Sequence, residues 1–528
     1  MNTKTYAVSL LSSLCISAAF AASYTLDGGT LEAPLDIMDP ASWGATVLEA
    51  TDVFNIQGSG ENMAYAYIGS GGNFEGSNFN MRGNAVLTMN GVGSSIASTS
   101  NPIQNNAEFG TNANSSMTLN ILGSGNSFTI DHTARSLMYG NENSVSGTNL
   151  IRISSNDAAA RNTLSLTGVH GFIKLSTNAA STANNTISIG DNSDFVQNYA
   201  NLRLGGDSGG GFAGGKVAIE MDGTNSTFNS ATPRNLNMGN DSASGIMTGG
   251  EVSFSLSGDS NTAKFALLNM GANWQSGAGM SGGKISFDVS GASNTLAFSA
   301  VTMGNVNNAD GGGEIVMTIG GSGNDAAMSN LYTRSKFSAF VISGSGNTVS
   351  TGHSAVNGGT WTIGGEGNSF KTGDVTLDGG KITLYAGNRL DMSQASMYVK
   401  AGSEFELVAD AGGFLGSDGN SALTLVNMSE FAGVLVLDFS KYVMLDEMLG
   451  DDVKLMSVTS AKSGISADDL NGGATQVVVK GGAIEDGSFN WIGGDLYVHV
   501  NSVIPEPSAF ASLLGALALA LAARSRRR

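Results

Sequence analysis

Four carboxylates in the middle of the chain, Glu220, Glu251, Asp288 and Glu314, recur at related points of similar segments. Cleavage of a glycosidic bond uses such groups in pairs, one carboxyl protonated to donate to the leaving oxygen and one ionised as base or nucleophile. They define an enzymatic alternative, a β-helix polysaccharide lyase or glycosidase. Repetition argues against it. An active site gathers unlike groups where a pattern breaks, whereas these four fall at near-equivalent outward points of successive strands and read as a solvated face. The sequence therefore predicts no catalytic residue and no enzyme activity.

Other chemistry is as sparse. His132, His170, His353 and His499 are widely separated and none has a second histidine at ligand spacing, so no zinc site is expected. The segment Gly320-Gly321-Ser322-Gly323-Asn324-Asp325 is similar to one calcium-binding nonapeptide. Such sites close their coordination shell with consecutive copies, and a glycine-rich turn is the expectation here. The recurrent Asn261, Asn294, Asn324, Asn347 and Asn368 are read as structural, taking left-handed backbone and bonding to one another along a stack. Met238, Met270 and Met303 are expected as core filler rather than a redox device. Gly-x-Gly-x-x-Gly matches carry no weight in a chain with 74 glycines and no strand-and-helix unit around them. No metal and no cofactor is predicted.

The 528 residues would fill three or four domains of about 150 residues. Composition points elsewhere: glycine has about twice its usual share of roughly 7%, and charged residues make up 13% against roughly 25%. With 6 prolines and no Gly-X-Y period the chain is not collagen, and 41% hydrophobic residues with little charge argue against disorder. Residues 22–504 contain 20 basic and 43 acidic residues, a charge of −23, with the basic ones scattered singly. Phosphate binding needs clustered Lys and Arg, so nucleic acid is rejected as a partner. The single cysteine, Cys15, lies in a segment expected to be removed, which leaves no disulfide and no thiolate ligand.

Both ends read as addresses. Lys4 precedes an apolar run from Ala7 to Phe20 that closes on Ala19-Phe20-Ala21, the order of a secretory signal peptide, with cleavage expected after Ala21. The secretion translocon is the implied partner. At the other end Pro505-Glu506-Pro507 holds an extended segment, an uncharged stretch of 15 residues spans 509–523, and Arg524, Arg526, Arg527 and Arg528 follow as a tail that stays on the cytoplasmic side. A spanning helix needs roughly 20 residues, so 509–523 is expected to hold the inner membrane transiently.

This three-part tail resembles the PEP-CTERM sorting signal of Gram-negative bacteria, over about 25 of the 528 residues. The resemblance implies that an exosortase, a membrane-embedded cysteine transpeptidase, recognises Pro505, Glu506 and Pro507, cuts nearby, and releases or transfers the body. It implies a cell-surface or extracellular-matrix destination, with extracellular polysaccharide as a further partner.

What remains must position these features, and it is repetitive. The pattern apolar-x-Gly-x-x-Asn occurs at 121–126, 256–261, 289–294, 319–324, 342–347 and 363–368, the last five copies beginning 33, 30, 23 and 21 residues apart. Looser copies begin at Ile56, Met89, Ile189 and Met221. Gly-Gly pairs at 249–250, 282–283 and 312–313 precede apolar residues on alternate positions, the period of a strand with one buried face. A third marker, Leu236-Asn237-Met238-Gly239, returns at 268–271 and, as Val-Thr-Met-Gly, at 301–304, ending another strand. No unit could bury its stripe alone, and stacking buries all of them in one core.

The expected fold is all-β, a right-handed parallel β-solenoid, with sequence texture resembling autotransporter passenger and adhesin solenoids, from which it departs where the sorting tail stands in place of a terminal barrel. The expected organisation is signal peptide 1–21, N-terminal cap 22–50, solenoid 51–400, C-terminal β region 401–503 and sorting signal 504–528. At about 22 to 30 residues and roughly 4.8 Å per rung, the stretch 52–390 predicts a rod on the order of 50 to 75 Å. A non-catalytic structural or adhesive role is the expectation, with a lyase, a glycosidase or a carbohydrate-binding protein as alternatives.

Overall fold

The computed structural model describes residues 22–502 apart from connecting segments that include 206–213, 272–279, 442–451 and 459–475. Among the described residues the regular elements are β-strands, with one short 3-10 helix, Pro40–Trp43. Two glycines turn the chain, and a segment such as Lys284–Val289 then buries Ile285, Phe287 and Val289 while leaving Lys284 exposed and Ser286 and Asp288 half-buried. Six residues cannot close a core, so equivalent strands lie side by side. Val252 stands beside Ile285 and Ile285 beside Ile315; Phe254 stands beside Phe287 and Phe287 beside Met317, all in parallel register. Continued from Leu35–Asp36 to Gln476–Lys480, this pairing gives a sheet of 16 strands among the described residues. The molecule is a parallel β-solenoid.

The other walls belong to a sheet that has 25 strands among the described residues. Some rungs supply it with two short strands, such as Ser193–Gln197 and Asn201–Leu204, while in others the two merge, as in Thr262–Met270 and Thr295–Met303. Merged strands turn a corner midway. Alternation lapses for two consecutive positions, Ala266-Leu267, Ser299-Ala300, Ser329-Asn330 and Gly352-His353, and then resumes in the opposite phase. Met238, Met270 and Met303 end the second half of these walls, fully buried in the core as their spacing suggests. Rings stack inside, Phe254 on Phe287 at 4.8 Å and Phe265 on Phe298 at 5.5 Å between centroids; such pairs add about 0.5–1.5 kcal/mol to plain burial.

Two columns at the turn lock one rung to the next. Asn261, Asn294, Asn324, Asn347 and Asn368 are at most 1% exposed. The Oδ1 of each accepts from the backbone N–H of its counterpart one rung earlier: Asn261 N–H donates to Asn294 Oδ1 and Asn294 N–H to Asn324 Oδ1 at 2.8 Å, and Asn324 N–H to Asn347 Oδ1 at 2.9 Å. Their amide nitrogens donate to turn carbonyls, Asn294 to Gly258 at 2.9 Å and Asn324 to Gly291 at 2.8 Å. The expected left-handed backbone is displaced by one residue. It falls on the preceding Ser260, Ser293 and Gly323, with φ of 58°, 57° and 61°, and the asparagines bond side chain to backbone instead of amide to amide. Direct amide pairing occurs elsewhere, from Asn149 to Asn185 and from Asn269 to Asn237, both at 2.7 Å.

Glycine fills the neighbouring column because the backbones there almost touch. A Cβ on Gly258 would lie 1.8 Å from the Gly223 carbonyl oxygen, and one on Gly291 would lie 2.0 Å from that of Gly258. The rungs are less uniform than expected. Ladder partners are 36, 33, 30, 23, 21 and 20 residues apart in successive parts of the chain, because strands and connections both differ in length from rung to rung: Thr348–Asn357 has 10 residues and Ser369–Lys371 has 3. Sixteen rungs at about 4.8 Å per step span roughly 72 Å.

Ser23–Leu26 pairs in register with Val53–Ile56, so 22–50 contributes a first strand. Trp43 covers the open end of the core, 5.0 Å from Phe54 and 5.9 Å from Phe74, its Nε1 donating to the Ile37 carbonyl at 2.9 Å. The composition change near residue 400 falls inside the parallel ladder, since Lys381–Tyr385, Glu404–Val408, Val434–Asp438 and Gln476–Lys480 continue it. The larger sheet stops differently. Asp495–Ser502 runs antiparallel to both Asp452–Val458 and Asp486–Ile492, which ends parallel propagation along that wall.

Candidate functional site

The expected cleavage residues Ala19 and Ala21, the sorting residues Pro505, Glu506 and Pro507, the stretch 509–523 and the tail Arg524, Arg526, Arg527 and Arg528 lie outside the described residues. So do His132 and His170. Among the described residues no helix is long and apolar enough to cross a membrane.

The four carboxylates stand on the outer face of the 16-stranded sheet, at the first or fifth position of strands that open after Gly-Gly pairs. The register separates them. Glu251 lies between Lys216 and Lys284, and Lys284 is followed by Glu314, so one column alternates in sign, with Lys284 and Glu314 3.7 Å apart. Glu220 and Asp288 occupy a second column with Ser255 between them, and Glu220 takes a hydrogen bond from Lys216 Nζ at 3.1 Å. No two of the four are in-register neighbours; their partners are Ser188, Lys216, Ser255, Lys284 and Thr318. Burial pushes the Asp288 carboxyl up, opposed by a hydrogen bond from Ser290 and the charge of Lys284. A single raised carboxyl without a second one opposite does not supply the acid–base pair that glycosidic cleavage uses.

His353 is exposed beside Tyr332, and His499 Nδ1 lies 2.9 Å from Asp452 Oδ1. Among the described residues no three His, Cys, Asp or Glu side chains come together as a metal site. Asn324, which would be a calcium ligand in the nonapeptide reading, has its oxygen engaged by Asn294 N–H and its nitrogen by Gly291 and Gly320. It serves the ladder.

One feature had no counterpart in the sequence reading. A groove of about 930 Å³ follows the corner of the larger sheet from Pro233 to Gln394. Its floor is Phe265, Phe298 and Met328, which show 3–5% of their surface, and its walls carry small residues such as Ala297, Ala327, Ser329 and Ser350. Lys264 and Lys371 stand in one outward column, Lys264–Ala297–Ala327–Ser350–Lys371. Among the described residues, the groove's lining includes these two lysines and no carboxylate. Its signal in the sequence is the pair of consecutive outward residues within a long strand, visible only once the alternation is aligned across rungs.

No family model, no curated protein and no solved structure matches the chain.

Proposed function

We propose that the protein is an exported, exosortase-sorted component of a bacterial cell surface or extracellular matrix, structural or adhesive and without catalysis. The observation that carries the body's role is where its polar side chains are spent. The buried asparagines bond to the backbone of neighbouring rungs, and the outward carboxylates alternate with lysine, serine or threonine. Such a stack supplies length and stiffness. The destination rests on the signal peptide expected over 1–21 and the Pro505-Glu506-Pro507 tail.

The test is to follow processing and location of the Pro505→Ala, Pro507→Ala double variant in the native host, and to incubate the purified mature protein with extracellular polysaccharides while measuring reducing ends. The proposal expects unprocessed, membrane-retained variant and no release of reducing ends. Normal processing of the variant would refute the sorting reading, and release that is lost on changing Glu220 and Asp288 would move the protein to the lyase or glycosidase class.

A further inference from the structure

The groove along the corner has a shape and a charge that point to a ligand. It crosses the merged strands Thr262–Met270, Thr295–Met303, Asp325–Thr333 and Thr348–Asn357 and continues to Lys371 and Gln394. Four rung steps separate Lys264 from Lys371, so at about 4.8 Å per step the two ammonium-bearing positions lie roughly 19 Å apart along the rod. A cleft of that form takes an extended chain, not a compact molecule.

The charge is the unusual part. In a body with 43 acidic and 20 basic residues, the charged side chains that line the groove among the described residues are both lysines. Most other lysines of the stack are neutralised: Lys216 by Glu220, Lys284 by Glu314, Lys381 by Glu404 and Glu406, Lys400 by Asp378 and Lys480 by Glu406. Lys264 and Lys371 are exposed and form no ion pair within 4 Å among the described residues. The nearest acid in their column, Asp391, is held by Arg389 and by the Ser393 backbone N–H. Its carboxyl sits below the ordinary range; burial opposes that, and the Ser393 hydrogen bonds with the charges of Arg389 and Lys371 outweigh it. Screening limits the reach of the acidic body to about 8 Å at physiological salt, so a ligand in the groove responds first to the local lysines. Between them the wall is Ala, Ala and Ser, which lets a chain lie flat on the sheet and meet hydroxyls and backbone.

We infer that this groove binds a linear anionic polysaccharide, lying along the rod axis with carboxylate groups at Lys264 and Lys371. The inference rests on the extracellular, non-catalytic reading above and gives it a ligand class.

The experiment measures retention of the full mature protein on immobilised alginate, a linear polyuronate, and on a neutral β-glucan, at low and high salt. The wild type is expected to bind alginate and to release it as salt rises. The Lys264→Glu, Lys371→Glu double variant is expected to bind at least tenfold more weakly. A control of equal charge change away from the groove, Lys336→Glu with Lys441→Glu, is expected to bind within threefold of wild type. All four lysines are exposed, so the variants keep the core, which circular dichroism verifies. Equal binding of the β-glucan, equal loss in the control, or no loss in the groove variant each overturns the inference. Absence of alginate binding by a protein that is exported and processed normally overturns it too, leaving the sorting reading intact. Failed export with alginate binding retained overturns the sorting reading instead.

Discussion

Replacing Asn324 with alanine tests the ladder at its centre. The side chain is 1% exposed and makes three bonds, accepting from Asn294 N–H at 2.8 Å and donating to the carbonyls of Gly291 at 2.8 Å and Gly320 at 2.6 Å. Truncation strands a buried backbone donor at a cost of about 1–3 kcal/mol and removes two further bonds of about 0.5–1.5 kcal/mol each. Gly291 O keeps a weaker bond from Ser322 N–H at 3.3 Å, which recovers part of the loss. The sum is about 2–4 kcal/mol. In a stack where each rung touches only its neighbours, the loss is local. Amide hydrogen exchange of Asn294 and Thr295 should therefore quicken by about 30- to 1,000-fold, since each 1.4 kcal/mol is tenfold, while amides near Trp43 and Val434 keep their rates. Asn324→Ser provides the conservative comparison. At Ser226 the same ladder position is filled by a hydroxyl that accepts from Ser193 N–H at 3.0 Å, so the serine variant should lose about 1 kcal/mol. Exchange at Asn294 that is unchanged in the alanine variant, or a loss spread evenly along the rod, would show that the ladder does not hold the rungs together.

Glycine at the close approach gives a second test: Gly258→Ala places a Cβ 1.8 Å from the Gly223 carbonyl and should sharply lower the yield of folded protein, whereas Gly69→Ala, with no atom within 4 Å of the added Cβ, should fold normally. Glu406 pins the last strand of the 16-stranded sheet by bonding Lys480 at 2.8 Å and Lys381 at 2.7 Å. Burial would raise its carboxyl, yet the two lysines hold it below the ordinary glutamate range. A lowered folded-state value means the stabilisation is complete above the unfolded value of about 4.3 and is lost as pH falls through the lowered one. The protection of the Gln476–Lys480 amides, their exchange taken against the intrinsic rate at the same pH, should accordingly fall in acid, and Glu406→Gln should show the lower protection already at pH 7. Asp288 has the opposite sign. Its raised value means that the ionised form weakens the fold at neutral pH, so Asp288→Asn should raise thermal stability at pH 7 and leave it unchanged well below the carboxylate range.

Much of the fold was legible because each rung must satisfy the same constraints. Gly-Gly pairs and alternation marked Val252, Phe254 and Leu256, Ile285, Phe287 and Val289, and Ile315, Met317 and Ile319, which are the buried residues of the strands Glu251–Leu256, Lys284–Val289 and Glu314–Ile319. The pattern faded where another side chain does the same work: Ser226 replaces the ladder asparagine, its hydroxyl accepting from Ser193 N–H, and Asn388 completes the ladder, accepting from Asn368 N–H at 3.1 Å, at a shorter distance after its strand. Residues 404–480 read as a separate β region because longer apolar runs obscure the alternation, although Glu404–Val408, Val434–Asp438 and Gln476–Lys480 continue the parallel ladder. The left-handed position was misplaced by one residue because a side-chain requirement and a backbone requirement sit side by side in the turn. The groove was hidden for a different reason. Lys264 and Lys371 are far apart in sequence and meet in one column only through register.

The central claim is that the body reaches the surface as a rod freed of both addresses. Intact-mass measurement of the protein recovered from the cell surface and medium of the native host tests it directly. The account predicts a chain that begins at Ala22 and ends close to Pro505-Glu506-Pro507, without 509–523 or the terminal arginines. A recovered chain that still carries residues 1–21 or runs through Arg528 would contradict it.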